Sequence, residues 1–361
     1  MAMVMKNQFN RRDFLKYSLS FAVGGATVAV LNPYLQIGDK ILGILNPGLD
    51  KPFKKSFLSM GSFVDIAIYD RNVKQLPAIM AKAESEIYAV DRLMSSFTDK
   101  SDLAKINRAA GQDSVVVDAR LCEVMAAAQD MGRRTGGVFD PTVLPLLRLY
   151  GLQDNQPRIP DAKSVERTLA LVDYRQIDVS RAGNRVGLAK QGASADLGGI
   201  AVGYAVDRVV AVLKAHGIER AVINAGGEVY AMGRPEGQEG WQIGIQHPLI
   251  PDRLAGKVVI ADKAISTSGN YEIKARSENR SLGHLFDPHT GAMLDPMLSA
   301  TIIADTTMEA DALSTAAFLM GSKKATSFVE KQPGVGAAFI VAGTGYEIET
   351  IKTGRFPAIT G

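Results

Sequence analysis

In TTMEADALSTAAFLMG, residues 306 to 321, Asp311 and Thr315 stand four residues apart and so share one face of a helix. Ala312, Leu313, Ala316, Phe318 and Leu319 surround them, which predicts a largely buried helix, and a buried carboxylate requires a partner. One carboxylate and one hydroxyl are hard oxygen donors suited to Mg²⁺ with substrate phosphates completing the shell. The alternative is a salt bridge, with the threonine bonded back to its own helix. A second stretch, ADLGGIAVGYAVD at residues 195 to 207, sets Asp196 and two glycines ahead of a helical run. Backbone at Gly198 and Gly199 can approach a ligand closely, and the following helix points its positive end at the loop. The alternative here is a plain turn. In SLGHLFDPHTGAM, His284 precedes Asp287 by three residues, so the imidazole is a candidate general base or simply a solvated loop side chain. In TGGVFDPTVLPLL, Phe139 and Asp140 follow a glycine pair and either line a pocket for a ring or serve as core and cap.

These residues need a frame. SFVDIAIYD alternates as a strand, and Leu76 to Leu93 and Ala119 to Met131 have helical spacing, the latter stopping at Gly136-Gly137. A helix is expected from Tyr204 to Ala215, closed by His216-Gly217. RAVINAGGEVYAMG predicts strand, glycine turn, strand, and GAAFIVAGTGYEIET a hairpin around Gly343-Thr344-Gly345. Thr306 and Glu309 have capping-box spacing, so a helix is expected to start there. GDKILGILNPGLDKPFKK reads as a linker into a folded body that begins near Ser56. With strands and helices mixed throughout and no fixed repeat, the expected fold is mixed α/β (α+β), two-lobed, with a cleft between the lobes. The single cysteine, Cys122, excludes an intramolecular disulfide and a cysteine metal cluster, and its helical context predicts a buried structural thiol.

The chain has 361 residues, 46% hydrophobic and 22% charged, with a net charge of +3. Lys6, Arg11, Arg12, Lys16 and Lys40 against Asp13 and Asp39 account for all of that charge. The rest is neutral by count, which argues against nucleic-acid binding. NRRDFLKYSLSFAVGGATVAVLNP places an arginine pair before an apolar run that is uncharged from Tyr17 to Gly38, the pattern of a bacterial twin-arginine export signal. The same run could serve as a membrane anchor, since about 20 apolar residues span a bilayer. The division expected is a signal and linker over residues 1–45 and one domain over residues 50–361. The nucleotide fingerprint G-x-G-x-x-G is absent, as is a P-loop, which disfavours a nicotinamide oxidoreductase.

The order and wording of eight segments resemble the ApbE family, the FAD:protein FMN transferases. They are SMGSFVDIAIYD, MSSFTDKSDLAKIN, TGGVFDPTVLPLL, ADLGGIAVGYAVD, VINAGGEVYAMG, AISTSGNYE, HLFDPHTG and ADALSTAAFLMG. The resemblance implies binding of FAD with Mg²⁺ and transfer of FMN to a Thr or Ser of another protein, releasing AMP. It implies that Asp311, Thr315 and the Gly199 carbonyl are metal ligands and that His284 is the catalytic base. Met60, Phe97, Val138, Phe139, Asp140, Asp196, Val202 and Leu285 fall at FAD-contacting positions. Val202 is the departure, standing where relatives usually carry Lys, and reduced FAD affinity is expected from it. The implied partners are the twin-arginine export machinery and a periplasmic or membrane redox protein with a Thr-Gly-Ala type motif. Periplasmic residence is expected, or retention at the inner membrane by an uncleaved signal. Two other readings use the same residues: an Mg²⁺-dependent FAD pyrophosphatase and a non-catalytic FAD-binding assembly factor.

Overall fold

The computed structural model describes residues 51–360 except 71–74, 155, 251–252, 270–274, 278–279, 283–284, 293–296 and 345–346. The chain opens with β1 (Phe53–Ser59), β2 (Ser62–Ile68), α1 (Leu76–Met94), α2 (Asp102–Arg108), β3 (Val115–Val116) and α3 (Ala119–Arg134). It continues with α4 (Leu144–Leu149), α5 (Ala162–Leu169), β4 (Ile177–Ser180), β5 (Arg185–Leu188), α6 (Ala201–Ala215), β6 (Ala221–Ala225) and β7 (Glu228–Met232). Next come β8 (Trp241–Gln246), β9 (Leu254–Ile260), β10 (Lys263–Ser268), β11 (Ala275–Ser277), β12 (Arg280–Leu282) and β13 (Ser299–Ala304). The chain closes with α7 (Thr307–Met320), α8 (Ser322–Val329), β14 (Gly336–Ala342) and β15 (Ile348–Gly354).

Eight strands form one sheet in the order β1-β2-β6-β7-β10-β13-β14-β15, and every neighbouring pair is antiparallel. Side chains alternate between its faces with the period of two that a strand imposes. Val64, Ile66, Ile223, Tyr230, Ala264, Ile302 and Phe339 face α1, α6 and α7 in the main core. Val222, Val229, Ala231, Ile265, Ile303 and Ile340 point the other way, against the β8–β9 hairpin. A smaller assembly, the sheet β3-β5-β4 with α3, joins the main core through Leu121, Val124, Met125, Val186 and Leu188. The mixed α/β class follows, with two assemblies sharing one continuous core. Cys122 is buried and free, as its helical context predicts. Among the described residues no helix is long and apolar enough to cross a membrane.

The starts of β1 and α6 differ from the sequence reading, and α3 runs on to Arg134, past the expected Met131. β1 begins at Phe53, inside the segment read as linker, because an edge strand bearing lysines resembles a solvated linker. Lys55 pairs with Glu84 of α1 at 2.6 Å and Lys54 approaches Asp65 of β2 at 3.9 Å. Helix α6 starts at Ala201, three residues before the expected Tyr204. Its internal Gly203 lowers helix propensity and hides the true start. The signal-like residues 1–50 lie outside the described residues.

Candidate functional site

Strand register gathers the candidate residues at one end of the large sheet. Ser59 pairs with Ser62, leaving Met60-Gly61 as the β1–β2 turn. Ala225 pairs with Glu228 across Gly226-Gly227, and Gly226 donates its N–H to Phe63 O at 3.1 Å, so the two turns are neighbours. Because Ile265 pairs with Val229, the end of β10 at Ser268 runs out past the same edge.

Helix α7 is set against this end by a clamp. Thr306 caps it, its side chain accepting the Glu309 N–H at 3.2 Å. The second half of a capping box does not form, since Glu309 instead accepts from Arg134 of α3 at 3.0 Å. Two further amides of the first turn, Thr307 N–H and Met308 N–H, donate to the Asp207 carboxylate of α6 at 2.7 and 2.9 Å. The helices cross at Gly203, where a Cβ would run into the Thr307 carbonyl and lie 2.8 Å from Asp311 Cβ. The Gly203 N–H donates to Asp311 Oδ2 at 3.0 Å.

That bond is the partner the buried carboxylate requires. Asp311 is 4% exposed, and among the described residues no Lys or Arg pairs with it. Burial holds its carboxyl well above the usual carboxylate range, with the nearby Asp207 charge adding to the rise and the Gly203 N–H opposing it. One turn on, Thr315 Oγ1 lies 3.4 Å from Ser268 Oγ, which bonds Ser314 Oγ at 2.7 Å. Ser314 also bonds Ser266 Oγ at 3.2 Å and donates to the Asp311 carbonyl at 2.9 Å. Gly199 closes the group: a Cβ there would sit 3.1 Å from Thr315 Oγ1 and 3.4 Å from the Phe139 ring.

The loop leading to Gly199 is held from three sides. Asn107 brackets Ala195, donating to its carbonyl at 3.0 Å and accepting its N–H at 2.7 Å. Asp196 N–H donates to Pro141 O at 2.7 Å. The Asp196 carboxylate accepts Ser96 Oγ–H at 2.6 Å and Gly198 N–H at 2.9 Å. Phe139 is buried, its N–H on Thr135 Oγ1 at 3.0 Å, and Val138 beside it is half-buried. Both Asp140 oxygens are occupied by its own surroundings, Oδ1 by Thr142 N–H and Oγ1–H and Oδ2 by Tyr174 N–H at 2.8 Å. The carboxylate thus ties the turn at Thr142 to Tyr174 and caps no helix, since α4 has Val143 as its N-cap with no side-chain bond.

The remaining candidates are more dispersed. Met60 is half-buried in a left-handed conformation with φ 52°. Phe97 is 65% exposed on the loop after α1. Val202, the second residue of α6, is half-buried and packs against the main core, as does Leu285. His284 lies outside the described residues. Asp287, weighed as its neighbour, accepts His289 N–H at 2.9 Å and Thr290 Oγ1–H at 2.8 Å and so organises its own turn. Gly203, Asp207, Ser96 and the Ser266–Ser268–Ser314 hydroxyl row were not singled out in the sequence. A glycine inside a helix signals close packing and was the available cue.

Among the described residues no three His, Cys, Asp or Glu converge as a metal site. What converges is oxygen: one carboxylate, hydroxyls and a backbone segment that no side chain blocks, a donor set for a hard cation.

Comparison with known proteins agrees over most of the chain. The sequence profile of the ApbE family matches residues 60–339. The FAD:protein FMN transferase of Treponema pallidum is 29% identical over 307 residues, covering 80% of this chain and 84% of that protein. One from Klebsiella pneumoniae is 29% identical over 280 residues, covering 76% and 80%. The crystal structure of the ApbE protein from Thermotoga maritima superposes with a TM-score of 0.76 at 30% identity, over 83% of this chain and 96% of that one. The apo flavinyl transferase ApbE of Pseudomonas stutzeri gives 0.75 at 27% identity, over 85% and 96%. With this fold, and with the motifs meeting at one end of the sheet, the chain belongs to the ApbE family.

Proposed function

We propose that the protein is an FAD:protein FMN transferase, joining FMN to a Thr or Ser hydroxyl of an acceptor protein and releasing AMP. The observation that carries this reading is the convergence of Asp311, Thr315 and Gly199 where α6 and α7 cross, in a chain of the ApbE family. The donors suit Mg²⁺: a carboxylate whose burial disfavours its charge gains from a cation, and the side-chain-free Gly199 leaves its backbone accessible. Asp311, Thr315 and the Gly199 carbonyl would hold the ion. Bound there, Mg²⁺ supplies electrostatic stabilisation of charge developing on the pyrophosphate oxygens.

The chain's own residues orient the reactants. The N-terminus of α6, presented by the Asn107-bracketed loop, favours a phosphate beside Gly198 and Gly199. Met60, Phe97, Val138 and Phe139 supply apolar surface for the rings, and Leu285 a further wall. Asp196, anchored by Ser96, keeps the loop in shape. The acceptor hydroxyl oxygen bonds to the FMN-side phosphorus as the bond to AMP breaks. The hydroxyl proton passes to a base, the role assigned to His284 by the family resemblance. Val202 provides no charge to the nucleotide, so binding weaker than in a lysine-bearing relative belongs to this reading.

The arginine pair and apolar run support export of the mature domain to the periplasm by the twin-arginine route, with a signal and linker over residues 1–45 and the domain over residues 50–361. Acceptors would be redox proteins facing that compartment with a Thr-Gly-Ala type motif. Incubation with FAD and Mg²⁺, followed by chromatography with and without such an acceptor, tests the reading. AMP released only with acceptor, without free FMN, is the expected result. Equal FMN and AMP without acceptor would make the protein a pyrophosphatase, and intact bound FAD would make it a binding factor.

A further inference from the structure

Among the described residues, three non-glycine positions have φ in the left-handed region, Met60, Asn184 and Asp262. Of the three, Met60 belongs to the candidate site. Ser59 pairs with Ser62, so Met60 and Gly61, at φ 52° and 74°, form the two-residue hairpin turn with both central residues at positive φ. Asn, Asp and Gly suit such a first position, whereas a long unbranched side chain persists there only when its surroundings impose the conformation.

The imposing group is a carboxylate on α1. Asp91 Oδ2 accepts the Met60 N–H at 3.0 Å and the Ser59 Oγ–H at 2.9 Å, gripping the turn at two successive residues. Asp91 also sits at the end of α1 that leads into the site: its carbonyl accepts the Ser95 N–H at 3.0 Å, and the next residue, Ser96, donates to Asp196. Phe97 follows. One residue therefore links the turn bearing Met60 to the loop bearing Phe97 and, through Ser96, to the glycine stretch.

We propose that Asp91 is a positioning residue for flavin binding, holding Met60 in its left-handed conformation so that its side chain and Phe97 present one apolar surface to the ligand. The inference rests on the flavin reading above. It acts through Met60 and not through the cation donors, which lie on α7 and in the loop before α6.

Calorimetric titration of FAD in the presence of Mg²⁺ tests it without a turnover step, using folded variants checked by thermal melting. Asp91→Ala is expected to raise the FAD dissociation constant about tenfold, the loss of a charge-assisted anchor. Asp91→Asn, which keeps an acceptor oxygen, is expected to recover to within about threefold of the unsubstituted protein. In a Met60→Gly background, where glycine adopts the turn unaided, adding Asp91→Ala is expected to change affinity by less than about twofold. Asp91→Ser serves if Asp91→Ala does not fold. Unchanged affinity in Asp91→Ala, no recovery by Asn, or the same tenfold loss in the Met60→Gly background would each overturn the proposal. Absence of FAD binding by the unsubstituted protein would overturn the functional reading itself, a distinguishable result.

Discussion

The two faces of the eight-stranded sheet are built to different rules. The face under the β8–β9 hairpin buries Trp241, Ile243, Ile245, Val258 and Ile260 against Val222, Val229 and Ile303. Two of its polar contacts are local: Trp241 Nε1–H donates to Met232 O at 3.0 Å, and Thr360 exchanges backbone hydrogen bonds with Lys257. The face under α6 and α7 buries the carboxylate of Asp311 and half-buries that of Asp207, each raised by desolvation, beside a row of serine hydroxyls. An apolar cluster is the cheaper way to fill that volume. Carboxylates gathered at one end of one face, where apolar side chains would pack at lower cost, are what a functional site looks like physically.

If the division is real, substitutions on the two faces should have opposite signatures. Asp311→Asn is expected to lower FMN transfer by a factor on the order of a thousand, the scale of several kcal/mol of transition-state stabilisation, without lowering the melting temperature of the cation-free protein. Trp241→Ala should do the reverse. Emptying that fully buried site costs about 3–5 kcal/mol of stability in urea melts, while the folded fraction keeps its transfer rate.

The pH dependence sharpens the contrast. Between about pH 4, where an unfolded aspartate ionises, and about 7, the folded Asp311 retains a proton the unfolded chain has released. Stability of the cation-free protein therefore contains a contribution present below that window and lost as pH rises through it. Thermal melts across that range should show the decline, and Asp311→Asn should make it shallower, with the raised Asp207 still contributing. Trp241→Ala should shift the whole curve down and leave its slope. The smallest effect is expected at Val202, half-buried at the start of α6. A lysine there, Val202→Lys, should tighten FAD about threefold, a screened charge at a helix end.

Much of the sheet was legible because alternation and turns are local signals. β2, the β6–β7 hairpin with its glycine turn, and β14 and β15 lie where periodicity put them. Edge strand β1 was hidden by its lysines, and α6's start by Gly203, a residue explained only by the Thr307 carbonyl across the helix crossing. The site divides similarly. Asp311 and Thr315 carry their spacing in the sequence, but their supports are tertiary. Asp207 reaches α7 across 100 residues of chain, and Ser96 reaches Asp196 across the same separation. No periodicity encodes such pairings. Asp140 shows the same limit: its type and position are legible, while its bonds to Thr142 and Tyr174 are not.

The most direct test is mass spectrometry of an acceptor domain bearing a Thr-Gly-Ala type motif, incubated with the mature protein, FAD and Mg²⁺. The account predicts covalent FMN on one hydroxyl residue of the acceptor, retained with Trp241→Ala and absent with Asp311→Asn. An unmodified acceptor, under conditions where a lysine-bearing ApbE relative labels it, or equal labelling by Asp311→Asn, would contradict the account.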